Sequence, residues 1–237
     1  MYRIVVRLGA VGLTLYALIY GLTCTLPRVG DLQQTSRNLF FHVPMWFTMY
    51  LMTALSFFWS LRALRRQDYA ADLRAKDAAE VGTLFGILGL ATGIVWSRVT
   101  WGRLMRDSNP AAWWSWDPKQ TAALLAVLMF AAYFVLRNSV PDPAKRLRLA
   151  GVYNIFAVVS LFPLTFVVPR MVDSLHPGGD EGNPLFPKDV SAEYRVVFYP
   201  SIVGFFCLAL WMWDLRSRAS ILRLRLTERD FAATLRP

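Results

Sequence analysis

The chain is poor in residues that carry covalent chemistry. Of 237 residues only two are histidine and two are cysteine, and charged side chains make up 18%. Cys24 and Cys207 each stand alone in an apolar run with no CxxC, which disfavours thiol redox catalysis or a cysteine-bound metal and leaves them as small buried hydrophobes. No GxxxxGK[ST] phosphate loop occurs, and too little polar sequence remains outside the apolar runs to build a nucleotide-binding domain. A zinc site wants three or four ligands. Asp173, Asp180 and Glu181 stand near His176, but His42 has no acidic neighbour. Ser174 has His176 close by without a nucleophile-elbow pattern, so a serine hydrolase lacks its motif.

What is abundant is apolar surface, with 55% hydrophobic residues and a mean hydropathy of +0.36. A membrane span needs about 20 mostly apolar residues to cross roughly 30 Å of hydrocarbon. Six runs approach that length: about Leu8 to Leu26, Val43 to Leu61, Val81 to Val99, Thr121 to Leu136, Leu149 to Val168 and Val196 to Trp213. The pattern predicts an all-α integral membrane protein, with a six-helix transmembrane unit over residues 1–215 and a basic tail over 216–237. The first run reads as an uncleaved span.

Basic residues outnumber acidic ones, 26 to 16, and their placement carries the topology. With both termini cytoplasmic, the inner segments hold two, five, four and six lysines and arginines and the outer segments hold nine. This is the positive-inside pattern. The charge thus serves topology and attraction to anionic membrane lipids, and nucleic acid is not an expected partner. The tail Arg216 to Arg229 reads as an amphipathic helix on the cytoplasmic surface.

Along the chain, Pro44 suits the first turn of the second span, since a proline there forfeits no intrahelical bond; His42 then sits at the outer lip. Arg62 to Glu80 reads as a solvated helical connector without chemistry. Gly82, Gly86, Gly89 and Gly93 fall on one helical face of the third span, as a close-packing seam or as a groove for a ligand edge. Asp117, Pro118 and Gln120 have the order of a helix N-cap, first turn and capping box, which makes Asp117 a structural cap rather than a catalytic acid. Pro163 predicts a kink in the fifth span.

Five of the nine tryptophans lie between Trp96 and Thr121, in the outer loop between the third and fourth spans. An aromatic belt spreads its rings over many helices, so this concentration points to a binding surface. The predicted topology also puts both histidines on the outer side. Two imidazoles can fill the axial positions of a haem iron, tryptophan faces can hold the macrocycle, and Arg98, Arg103, Arg106, Lys119 and Arg170 are candidate cations for its propionates. Trp96 is assigned to the interface.

The segment Trp113-Trp114-Ser115-Trp116-Asp117-Pro118-Lys119-Gln120-Thr121, preceded by Trp101-Gly102, resembles the tryptophan-rich WWD signature of haem-handling proteins in cytochrome c maturation. Phe40-Phe41-His42-Val43-Pro44-Met45-Trp46 and Leu175-His176 resemble that family's two outer histidine motifs. Length and span number are similar to the smaller branch, cytochrome c maturation protein C. The chain departs from the expected spacing by inserting Arg103 to Ala112 between Trp101-Gly102 and Trp113-Trp114.

The resemblance implies a non-enzymatic protein of the bacterial cytoplasmic membrane that binds haem b non-covalently on its periplasmic side and passes it to a periplasmic haem chaperone. His42 and His176 would be the axial iron ligands, with Trp101, Trp113, Trp114, Trp116, Asp117, Lys119 and Arg98 around the porphyrin. Its partners would be the membrane subunit and ATPase of an ABC-type transporter and a small membrane accessory subunit. Two other classes fit parts of the sequence. A cytochrome c synthase subunit would want more spans and additional histidines. A bis-histidine electron-transfer cytochrome would bury its ligands on facing helices.

Overall fold

The computed structural model describes residues 2–27, 30–100, 113–168, 171–172, 174 and 190–234. Six α-helices follow in order: α1 Tyr2–Thr23, α2 Leu39–Arg66, α3 Tyr69–Thr100, α4 Pro118–Ser139, α5 Pro143–Phe162 and α6 Ala192–Thr234. A 3-10 helix, Gly30–Asn38, leads into α2, and a π turn, Pro163–Val167, extends α5. Among the described residues there is no strand. All six helical segments are long and apolar enough to span a bilayer, so the protein is an all-α, multi-pass membrane protein.

The helices form three antiparallel pairs. The pair α2 and α3 lies in the middle, with α1 and α6 on one flank and α4 and α5 on the other. Lipid is as apolar as leucine, so helices in a bilayer associate through close packing of small residues and through polar contacts. The small residues are placed accordingly. A Cβ added at Gly204 of α6 would come within 2.9 Å of the Thr14 backbone of α1, and α1 buries Ala10, Ala17 and Gly21 while Leu8, Leu15, Ile19 and Leu22 stay exposed. Cys24 is buried and Cys207 half-buried, both as free thiols.

Pro44 does not open the second span. Helix α2 starts five residues earlier, at Leu39, and Pro44 is buried inside it. A proline inside a helix leaves the carbonyl four residues back without its N–H donor. Here that carbonyl belongs to Phe40, and the Ser201 hydroxyl of α6 donates to it. The same device recurs in α6, where Pro200 releases the carbonyl of Val196 and the Tyr16 hydroxyl of α1 donates to it at 3.2 Å. Neighbouring hydroxyls thus make both interior prolines tolerable in a membrane helix. Pro163, expected to kink the fifth span, begins the π turn.

Aspartates set the helix starts. Asp142 caps α5, accepting from Lys145 N at 2.6 Å with Pro143 in the first turn, and Asp117 caps α4 in the same way. At the other end of the bundle, Arg62 to Glu80 is not a solvated connector. Helix α2 closes on Gln67 in a left-handed conformation with φ of 50°, Asp68 accepts from Ala71 N at 3.0 Å, and α3 has already begun at Tyr69. Asp72 and Asp77 are buried there. The Arg137 guanidinium of α4 forks onto both oxygens of Asp72, with Nη1 to Oδ1 at 2.8 Å. The tail is likewise not a separate surface helix, since α6 runs unbroken through it.

Removing one member of a buried ion pair strands the other, at about 3–5 kcal/mol. Arg137→Met is therefore expected to lower the unfolding free energy in detergent micelles by about that amount, and the double substitution Asp72→Leu/Arg137→Met is expected to recover most of it. An unfolding titration of the two variants beside the parent protein checks both.

Candidate functional site

The glycine face of α3 seats the large side chains of α2 one after another. An added Cβ would fall 3.2 Å from Met52 Cβ at Gly82, 2.5 Å from Met49 Sδ at Gly86, 2.9 Å from Trp46 Nε1 at Gly89 and 2.8 Å from His42 Cε1 at Gly93. The packing reading of the stripe is therefore what the fold realises. At its last step the seam also positions a histidine.

His42 is the fourth residue of α2 and is held from one side. Its Nδ1 lies 2.9 Å from the Gly89 carbonyl oxygen and 3.2 Å from Thr92 Oγ1. A carbonyl can only accept, so Nδ1 carries the proton and the lone pair of the neutral ring is on Nε2. Orientation of a histidine by a backbone carbonyl on its other nitrogen is the usual support for a metal-binding imidazole. Trp96 meets the His42 ring edge-on at 5.8 Å and reaches Thr35 Oγ1 with its indole nitrogen at 3.3 Å. Trp96 is thus a neighbour of His42, not only an interfacial ring.

A cavity of about 150 Å³ opens beside His42, lined on α2 also by Trp46 and Tyr50 and from α4 by Lys119 and Gln120. The π turn contributes Thr165, which accepts from the Tyr50 hydroxyl at 3.0 Å and donates to Leu161 O at 2.7 Å. Lys119 and Gln120 arrive here because of the cap on α4. Asp117 accepts from their backbone N–H groups at 2.9 and 3.4 Å. Gln120 does not close a capping box; its side-chain oxygen accepts from Ser115 Oγ at 2.7 Å.

Asp117 has a second task. The Ser174 hydroxyl lies 3.1 and 2.9 Å from its two carboxylate oxygens, so the residue that stands close to His176 in sequence ties the segment before α6 to the start of α4. The Ser174 hydroxyl is spent on structure.

The tryptophans before α4 present faces in different planes. Trp114 and Trp116 meet at 79° with centroids 5.9 Å apart. Trp113 is covered on one face by the Arg98 guanidinium from the last turn of α3, at 4.0 Å. Trp116 is 80% exposed and Trp113 60%. Three buried polar atoms near the start of α4 have no partner among the described residues: Trp114 Nε1, Gln120 Nε2 and Thr121 Oγ1. Such groups cost about 1–3 kcal/mol each when left unmet and point to a ligand with acceptor groups. His176 and Trp101, with Arg103, Arg106 and Arg170, lie outside the described residues.

Trp46, Tyr50, Thr92 and Thr165 were not among the residues singled out from sequence. His42, Trp46 and Tyr50 do recur at four-residue steps, which puts them on one helical face and is the signal that marks the first two of the four. Thr92 and Thr165 have no such signal.

Among the described residues no three His, Cys, Asp or Glu side chains converge into a metal cluster. The chain is thus a multi-pass membrane protein whose site is a carbonyl-held histidine beside tryptophans and cations at one end of the bundle. Residues 2–232 match the family described as Heme exporter protein C, and the chain belongs to that family. A heme exporter protein C of Paracoccus denitrificans is 30% identical over 226 residues, covering 92% of this chain and 86% of that protein. That of Rhodobacter capsulatus is 28% identical over 213 residues, 88% and 82% of the two chains. That of Escherichia coli K12 is 24% identical over 202 residues, 81% and 74%.

The cap makes two substitutions at one position diverge. Asp117→Ala is expected to cost about 1 kcal/mol for the cap and roughly another 1 kcal/mol for the stranded Ser174 hydroxyl. Asp117→Asn keeps an acceptor and is expected to cost less than about 1 kcal/mol. Hydrogen exchange at the Lys119 and Gln120 amides checks this, with protection lost in the alanine variant and kept in the asparagine variant.

Proposed function

We propose that this protein binds haem b non-covalently at the His42 end of the bundle and hands it on during c-type cytochrome biogenesis. Family membership supports the haem-handling role, because the relatives are named heme exporters. The observation that carries the site assignment is the Nδ1 contact of His42 with the Gly89 carbonyl, since it leaves Nε2 as the ligating nitrogen. His42 is one axial ligand of the haem iron and His176 the other. Trp113, Trp114 and Trp116, with Trp101, hold the macrocycle. Arg98 and Lys119 take the propionates, with the unpartnered Gln120 Nε2 as an added donor; Asp117 fixes the start of α4 beneath them.

The excess of lysine and arginine at the opposite end of the bundle assigns that end to the cytoplasm and the His42 end to the periplasmic side of the bacterial inner membrane. Bound haem is cargo here, and these residues hold and orient it without making or breaking a bond. A periplasmic haem chaperone takes the haem from this open end. The membrane subunit and ATPase of an ABC-type transporter, with a small membrane accessory subunit, complete the assembly; this chain itself has no phosphate-loop motif.

Purified protein is expected to show a b-type absorption spectrum that His42→Ala abolishes or greatly weakens. Gly93→Ala, which drives a methyl into the His42 ring, is expected to lower haem retention about tenfold, the scale of lost outer support to a metal ligand. Gly12→Ala, where an added Cβ meets nothing within 4 Å, is the neutral control. Wild-type retention in both His42→Ala and Gly93→Ala would contradict the assignment.

A further inference from the structure

Helix α6 is 43 residues long, far more than a span requires. Its apolar part ends at Trp213, whose indole nitrogen donates to Arg74 O at 3.1 Å. Just beyond, the helix is braced on both sides. Asp214 pairs with Arg3 of α1 at 3.3 Å, Arg216 pairs with Glu80 of α3, and Ser220 Oγ donates to Asp77 at 3.1 Å. The helix then continues to Thr234.

On this extension two rows run side by side. Leu215, Leu222 and Leu226 are exposed at steps of seven and four, which places them on one face. Arg218, Arg225 and Arg229 follow each leucine by three residues, with the same steps, and are exposed as well. Between this face and Arg74 lies a groove of about 580 Å³.

Lipid does not cover this surface. At 1.5 Å per residue, Leu222 and Leu226 stand about 13 and 20 Å beyond Trp213 along the axis. The headgroup layer adds only about 5–8 Å to each side of the hydrocarbon. Even at a tilt of about 40°, the upper end of the usual range, Leu226 remains about 15 Å out. A second copy of the chain fits poorly too, because its arginine row would face this one. The leucine row therefore calls for a protein surface, and the arginine row states its charge.

We propose that the end of α6 is a docking site for an acidic amphipathic helix of a partner protein, with apolar side chains over Leu215, Leu222 and Leu226 and carboxylates along Arg218, Arg225 and Arg229. The site lies at the opposite end of the bundle from His42 and is independent of the haem assignment. Helix-in-groove recognition of this kind takes anchors at helical spacing, and the charge row fixes register and partner choice.

The test is photocrosslinking of the full chain in its native membranes, with p-benzoylphenylalanine placed at position 222 or 226, and at lipid-facing position 87 as control. The expected result is a protein adduct from 222 and 226, absent from 87, whose crosslinked peptide carries Asp or Glu at steps of seven and four beside an apolar row. Its yield falls at least about tenfold, the equivalent of a lost charge row, when Arg218→Glu, Arg225→Glu and Arg229→Glu are combined. The thermal melting of the bundle stays unchanged in that variant. A phospholipid adduct, a self-adduct, no adduct, or a protein adduct insensitive to the charge reversal would each overturn the proposal.

Discussion

The His42 end is built on the closeness with which α3 lets α2 approach. Four glycines give α2 a smooth wall, and Thr53, Met49, Trp46 and His42 stack against it in turn. In hydrocarbon this fit replaces the hydrophobic effect as the force that holds two helices together. The same closeness brings the Gly89 carbonyl within reach of the His42 ring. Packing and ligand orientation are therefore one feature, and a methyl group anywhere along the seam disturbs both.

A bilayer leaves no water to satisfy stray polar groups, and the bundle meets most of its own. Ser201 and Tyr16 answer the carbonyls freed by two prolines. Asn154 donates to Ser56 and Ser60, and Ser56 passes its own proton to Ala75 O. Arg137 and Asp72 satisfy each other. Against that background, the unmet atoms of Trp114, Gln120 and Thr121 gather near one helix start, beside Lys119 and the cavity at His42. The bundle is closed where it only has to hold together, and it keeps donors in reserve where cargo is to bind.

The six spans were legible because each apolar run is long enough to cross a membrane. The cap at Asp117 was legible because Asp-Pro-Lys-Gln contains both the acceptor and the helix-starting proline. Pro44 was misleading for a physical reason. Local rules place proline at a helix start, but a hydroxyl from α6, distant in sequence, makes an interior position tolerable. Arg62 to Glu80 was misleading because local charge looks solvated until Arg137, 65 residues from Asp72, is folded against it. Glycine spacing announced a face without naming what the face holds. Trp96 and Ser174 were misplaced for the same reason: their partners, His42 and Asp117, come from other elements.

The central claim is that His42 Nε2 coordinates the haem iron, and ligand replacement tests it most directly. The ferric haem-loaded His42→Gly variant is examined by electron paramagnetic resonance before and after free imidazole is added. The account predicts a low-spin signal in the parent protein, its loss in the variant, and its return when imidazole fills the vacated position. A low-spin signal that persists in His42→Gly without imidazole would contradict it.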